Sequence, residues 1–222
     1  MEKYVIIVAG GTGKRMGTEI PKQFLLLQGK PVLMHTIKVF FQYDKKINIV
    51  LALPKEYFNE WAELCKQYNF TIKHCIAAGG ETRFHSVKNG LEQIKETDCL
   101  IAVHDGVRPM VSNEVIKRVF EVAEEKGTAI PCVVVNDSLR MLTEKYSKPI
   151  NRNTIRAIQT PQCFRSDLLK RAYEQEYEDY FTDDATVIEN FGCKIYLVEG
   201  NIKNIKITTP FDLKIAEALM KD

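Results

Sequence analysis

Between Val8 and Val32 the chain reads VAGGTGKRMGTEIPKQFLLLQGKPV. Gly10, Gly11, Gly13 and Gly17 leave the backbone without Cβ atoms at close intervals, and Lys14, Arg15 and Lys22 set positive charge beside them. Backbone N–H groups in such a turn can cradle phosphates because no side chain blocks their approach. A guanidinium at Arg15 forks onto two oxygens, and Lys22 supplies a compact point charge. Together they suit a transferring phosphoryl group that gathers negative charge in its transition state.

Two common phosphate loops do not fit. A Walker A loop needs GxxxxGK[ST], yet Val8 stands where its first glycine belongs and Arg15 follows Lys14. A dinucleotide fingerprint needs GxGxxG, yet Gly11, Gly13 and Gly17 are spaced GxGxxxG. No acid closes the second strand at Leu53–Pro54 to hold a ribose.

The 222 residues carry 31 basic and 29 acidic side chains, a net charge of +2. That balance argues against a generic nucleic-acid binder, so the basic patch is local. No apolar run approaches the roughly 18 residues that cross a membrane. The apolar start at Tyr4–Val8 is too short for a signal peptide and runs into the glycine loop. Cys65, Cys75, Cys99, Cys132, Cys163 and Cys193 include no CxxC pair, so a reducing, cytoplasmic protein without disulfides is expected.

The elements that position the loop show in the periodicity. Tyr4–Val8, Ile47–Leu53, Thr71–Ala77, Cys99–Val103 and Thr128–Val135 read as strands, with helical stripes between them at Val32–Phe41, Trp61–Tyr68, Phe84–Ile94 and Val115–Ala123. Such alternation predicts an α/β fold: a mostly parallel, Rossmann-like sheet with helices on both faces. Segments 9–22, 79–86 and 104–109 each follow a strand and should meet at one sheet edge, where ligands bind. Regular structure breaks at about Asn136. Ser138–Ile158 is too polar to bury much area and reads as a protruding β-arm on a single domain spanning 1–222, packing on a partner. Further strands are expected at Lys194–Val198 and Asn204–Thr208, and a last helix from Pro210.

Taken together, "AGGTGKRMG", "PKQFL", "GGETRFHSVKNGL", "VHDGVRP", "IRAIQTPQCF" and "NIKITTPFDL" resemble, in order, the signature of the sugar-alcohol phosphate cytidylyltransferases. The match runs from Val5 to Ala216. The resemblance implies a nucleotidyltransferase fold, a homodimer with exchanged arms, Mg²⁺ as cofactor, and CTP and a sugar-alcohol phosphate as reactants. It leans toward 2-C-methyl-D-erythritol 4-phosphate as acceptor, in non-mevalonate isoprenoid synthesis, with ribitol 5-phosphate as the alternative. Arg15 and Lys22 match the family's transition-state stabilisers. Arg152 and Lys206 match the residues that hold the acceptor's phosphate, and Ser138 stands where many relatives carry Thr. Ala9, Gly10, Gly11 and Gly13 would approach the nucleotide. The region of Gly80, Glu81, Arg83 and Ser86 would read the cytosine; Glu81 departs from the Asp usual after the second glycine. Asp105, with Gly106, would meet the nucleotide or Mg²⁺, and Arg108 would brace that loop or the triphosphate.

Each of these residues also has a plain structural reading. Ser86 can be a first-turn helix residue, Asp105 and Ser138 turn formers, and Arg152 a solvated arm cation. His104 reads as structural, and Asp183–Asp184 as a helix start with acids at its positive end. Two other functions compete. A nucleotide-sensing module needs no second anion site, against Arg152 and Lys206, and a Rossmann oxidoreductase is opposed by the glycine spacing.

Overall fold

Strand β1 (Glu2–Val8) shows why the sheet is sandwiched. Val5 and Ile7 point into one apolar cluster while Tyr4 and Ile6 point into another, as the two-residue period of a strand dictates. Both faces must therefore be covered. The computed structural model describes residues 1–11 and 20–221.

After β1 come the short strands β2 (Leu26–Leu27) and β3 (Lys30–Pro31), then α1 (Val32–Tyr43), β4 (Asn48–Leu53), α2 (Phe58–Gln67), β5 (Cys75–Ala78) and α3 (Arg83–Leu91). The chain continues through β6 (Cys99–Asp105), α4 (Asn113–Lys126) and β7 (Thr128–Val134). It then forms a hairpin of β8 (Leu139–Leu142) and β9 (Ser147–Ile150), followed by β10 (Arg156–Ile158), β11 (Gln162–Arg165) and α5 (Ser166–Ala172). The last elements are α6 (Asp184–Asn190), β12 (Leu197–Glu199) and α7 (Pro210–Leu219).

The main sheet has the order β10-β7-β11-β6-β1-β4-β5, with β12 beside β7. β1 runs parallel to β4 and β6, and β4 to β5, while β11 is antiparallel to β6 and β7. Helices α1, α2 and α4 cover one face, with Phe40, Trp61 and Phe120 in its core. Helices α3, α5 and α6 cover the other, around Phe84, Leu169 and Ile188. The mostly parallel, doubly covered sheet expected from periodicity is what the chain forms.

Four expectations need correction. Residues 71–74 are not strand: Trp61 Nε1 donates to His74 Nε2 at 2.9 Å, and Phe70 and Ile72 pack against the α1–α2 core, so pairing with β4 begins only at Cys75. Residues 204–208 form no strand either. The Asn204 carbonyl is taken by the side chains of Arg108 and Gln159, and Ile207 N–H donates to the Val107 carbonyl, which leaves no ladder. The predicted strand at 194–198 shortens and shifts to β12. Finally, the protruding part of the arm is the β8–β9 hairpin; Arg156–Ile158 returns to the main sheet against β7.

Candidate active site

The carboxyl ends of β1 and β6, the turn before α3 and the segment after β12 converge. Val8, Ala9, Gly10, Gly11, Lys22, Gln23, Gly80, Glu81, Thr82, Arg83, Ser86, Asp105, Val107 and Lys206 line one pocket there. The described parts of segments 9–22, 79–86 and 104–109 meet at one edge, as expected. Gly13 and Arg15 lie outside the described residues.

Asp105 ends β6 at the pocket floor and is almost buried. Its Oδ2 accepts from Arg108 Nε at 2.9 Å and lies 3.1 Å from Lys206 Nζ, while Arg83 Nε stands 3.8 Å from Oδ1. Burial pushes the Asp105 carboxyl up, but Lys206, Arg83 and Arg108 outweigh it and hold the group ionised, well below the usual carboxylate range. Among the lining residues Lys22, Arg83 and Lys206 outnumber Glu81 and Asp105, which leaves the pocket net positive, as suits a site for anions.

As arranged here, Asp105 does not fit a direct metal ligand. Its oxygens face two guanidiniums and an ammonium, and no cluster of acids, histidines or cysteines that could hold a metal occurs among the described residues. Arg108 braces the loop: besides Asp105 it donates through Nη1 to the Asn204 carbonyl at 2.9 Å. Asn204 and Lys206 are thereby fixed without a strand.

Arg83 is anchored from behind. Its Nη1 and Nη2 donate to the two oxygens of Asp184 at 2.9 and 2.6 Å, and Tyr173 Oη donates to Asp184 Oδ1 at 2.6 Å. Asp184 is fully buried at the first turn of α6, whose N-cap is Asp183 in a capping box with Thr186. The Asp183–Asp184 pair is thus a helix start, as expected, but Asp184 also seats an arginine of the pocket. Sequence reading missed that link; the 101-residue separation of Arg83 and Asp184 leaves no local signal.

Ser86 closes the turn before α3. Its hydroxyl donates to the Thr82 carbonyl and accepts from Gly80 N–H, each at 3.0 Å. Its hydrogen is therefore engaged, and only an acceptor lone pair faces a ligand. Gly80 must be glycine, because a Cβ there would lie 2.3 Å from His85 Cβ. Gly106 does not line the pocket. Its N–H donates to the Val8 carbonyl at 2.9 Å and its carbonyl accepts from Thr36 Oγ1 at 2.9 Å, so it locks β1 to α1 instead of offering groups to substrate.

His104 is structural. Its Nε2 bonds the Arg108 carbonyl at 3.0 Å and therefore carries the proton, while Nδ1 accepts from Thr160 Oγ1 at 3.1 Å. Burial holds its pKa down to about 4. The same Thr160 hydroxyl accepts from Asp105 N–H at 3.1 Å. Within "IQTPQ", Gln159 and Gln162 tie the neighbouring loops: Gln159 Nε2 donates to the Asn201 carbonyl at 2.8 Å, and Gln162 Nε2 to Asp183 Oδ2 at 2.8 Å.

The arm residues are elsewhere. Ser138 and Arg152 are exposed, neither lines the pocket, and Arg152 donates to the Asn136 carbonyl of its own chain.

Comparison with known proteins bears on what this edge does. Residues 3–222 match the family model described as 2-C-methyl-D-erythritol 4-phosphate cytidylyltransferase (IspD). The protein of that name from Bacteroides fragilis is 55% identical over 99% of this chain and 100% of its own length. Its namesake from Porphyromonas gingivalis is 49% identical over 99% of this chain and 98% of its own. The crystal structure of the Thermus thermophilus enzyme of that name superposes with a TM-score of 0.80 at 32% identity, covering all of both chains. With a matched sequence from end to end, a shared sheet and an anion pocket at its expected edge, the chain belongs to the 2-C-methyl-D-erythritol 4-phosphate cytidylyltransferase family.

Proposed function

We propose that the pocket at the ends of β1 and β6 is where this chain carries out the reaction of its family, the transfer of a cytidylyl group from CTP to 2-C-methyl-D-erythritol 4-phosphate. The observation that carries the reading is the convergence of Lys22, Arg83 and Lys206 on one pocket around an ionised Asp105. In the reaction an oxygen of the acceptor's phosphate attacks the α-phosphorus of CTP. The bond from that phosphorus to the bridging oxygen breaks, pyrophosphate leaves with the electron pair, and CDP-methylerythritol forms. The attacking oxygen is already ionised at neutral pH, so no general base is required.

The chain's own task is positioning and charge stabilisation. Lys22, with Arg15, neutralises the charge that grows on the α-phosphate oxygens. Lys206 meets the acceptor's phosphate, and Asp105 aims its ammonium until that anion arrives. Arg83 and Arg108 serve by fixing Asp105. Ala9 to Gly11 and Gly80 present backbone groups to the nucleotide. Arg152 and Ser138 reach a pocket only if the hairpin belongs to a second copy, which supports the reading of a homodimer with exchanged arms. Exposed Met141, Leu142 and Tyr146 on the hairpin give such a copy an apolar surface to cover.

Mg²⁺ enters the proposal as a companion of the triphosphate. It prefers phosphate oxygens and water to an all-protein cage, and Asp105 does not fit as its ligand, so no step is derived through it. The six cysteines are unpaired, and no helix among the described residues is long and apolar enough to cross a membrane. The unpaired cysteines suit the cytoplasmic reading. Pyrophosphate release from CTP, with methylerythritol phosphate and ribitol 5-phosphate offered separately, tests the function. Turnover is expected with the first; turnover with ribitol 5-phosphate alone refutes the acceptor assignment.

A further inference from the structure

Gln23 has no role in any of the expectations above, yet it is 1% exposed and lines the pocket beside Lys22. Its Nε2 donates to the Ala9 carbonyl at 2.8 Å. Its Oε1 is buried and has no hydrogen-bond partner among the described residues. Buried acceptors in folded proteins nearly always find a donor, so one left open in a binding pocket points to a donor that arrives with the ligand.

The neighbours of Gln23 are fixed on both sides. Lys22–Phe24 forms a single 3₁₀ turn, and Phe24 N–H donates to the Pro21 carbonyl at 2.8 Å. The Phe24 ring stacks on Trp61, with centroids 6.1 Å apart and planes at 10°. Ala9 is held by its N–H, which donates to the Ala52 carbonyl at 2.9 Å. Its carbonyl accepts Gln23 on one lone pair, which leaves the other for a ligand.

We infer that Gln23 is a specificity-determining residue of the pocket, holding the Ala9 carbonyl through Nε2 and accepting an N–H of the nucleotide base through Oε1. The inference rests on the proposed assignment of the pocket to the transfer. A phosphate cannot satisfy Oε1, because ionised phosphate oxygens only accept. A base with an exocyclic amino group can: it brings donors where uracil brings a carbonyl. Two acceptors held together, the Ala9 carbonyl and Gln23 Oε1, therefore favour a base with an exocyclic amine, cytosine over uracil. Gln23 also stands one residue from Lys22, so base reading and charge stabilisation share one turn.

The test is the ratio of kcat/KM for CTP over UTP in the full-length protein, with methylerythritol phosphate as acceptor. In Gln23→Met, which keeps the side chain's length without its amide, the ratio is expected to fall at least tenfold. Gln23→Asn withdraws both amide ends by one methylene and is expected to lower the same ratio; it serves where the Met variant does not accumulate as folded protein. A wild-type ratio in a folded variant overturns the inference. So does an equal loss with both nucleotides, which would assign Oε1 to a ribose hydroxyl. Lys22→Ala separates the two levels: if it stays active, the pocket assignment fails; if it is inactive while Gln23→Met keeps the wild-type ratio, only the role of Gln23 falls.

Discussion

The pocket floor and the β8–β9 hairpin are built in opposite ways. At the floor, Asp105, His104, Arg83 and Arg108 are tied to one another and to Asp184, Thr160 and Asn204, groups brought from distant parts of the chain. In the hairpin, the bonds are local. Arg140 Nε donates to Ser147 Oγ at 2.6 Å, and Thr143 N–H to the Tyr146 carbonyl at 2.8 Å. Leu142 is 83% exposed there, whereas Asp184, a carboxylate, is 0% exposed. Polarity and burial are thus inverted between the two regions. A buried charge is tolerated where every partner is supplied, and exposed apolar side chains such as Leu142 form the kind of surface that binding partners cover.

The pocket is most sensitive at Lys22. Lys22→Ala is expected to lower kcat about 10²–10³-fold, with a smaller change in KM, because the charge acts on oxygens whose negative charge grows in the transition state. Steady-state kinetics with CTP varied reads this; a folded variant within a few-fold of wild type would make Lys22 a bystander. Asp184→Asn should leave the fold but strip Arg83 of its buried counter-charge. Removing one partner of such a pair costs about 3 kcal/mol, seen as a lower urea midpoint with an unchanged slope. A midpoint equal to wild type would mean that Asp105 alone suffices for Arg83.

The hairpin has its own tests. Arg152→Ala and Lys22→Ala, each nearly inactive alone, should regain about a quarter of wild-type turnover when mixed and allowed to exchange subunits, from counting sites in a two-fold dimer. A mixture kept from exchanging should stay inactive. No recovery after exchange verified by mass would assign Arg152 to its own chain and sink the exchanged arm. The smallest effect is expected for Leu142→Ser. Chain stability should move by less than about 0.5 kcal/mol, as for an exposed site, while sedimentation shows weaker self-association. A large loss of chain stability without change in association would mean that the hairpin covers its own domain.

The same contrast explains what could be read from the sequence. Strand and helix alternation was legible because burial on both sheet faces imposes a period on residues such as Tyr4–Val8 and Val115–Ala123. The anion pocket was legible because glycine turns and cations cluster locally after strands. Links between distant segments were not: nothing in the local pattern pairs Arg83 with Asp184 or His104 with Thr160. The strand expected at 204–208 failed for a related reason. Its alternation is genuine, but side chains from Arg108 and Gln159 take the Asn204 carbonyl and tie the segment outside any ladder. Ser86 and Gly106 carry residue types suited to substrate, and only the bonds they already make show how little they have left to offer.

Trp61 is the only tryptophan in the chain. It is 1% exposed, stacks on Phe24 and donates its indole N–H to His74. Light absorbed at the red edge, beyond the tyrosines, is therefore emitted from a single site stacked on Phe24, the last residue of the Lys22 turn. The quantum yield and wavelength of that emission depend on the Phe24 stack and on the Trp61–His74 bond. Any ligand that moves the turn writes its arrival into the protein's own fluorescence, readable in real time by stopped flow with no label attached.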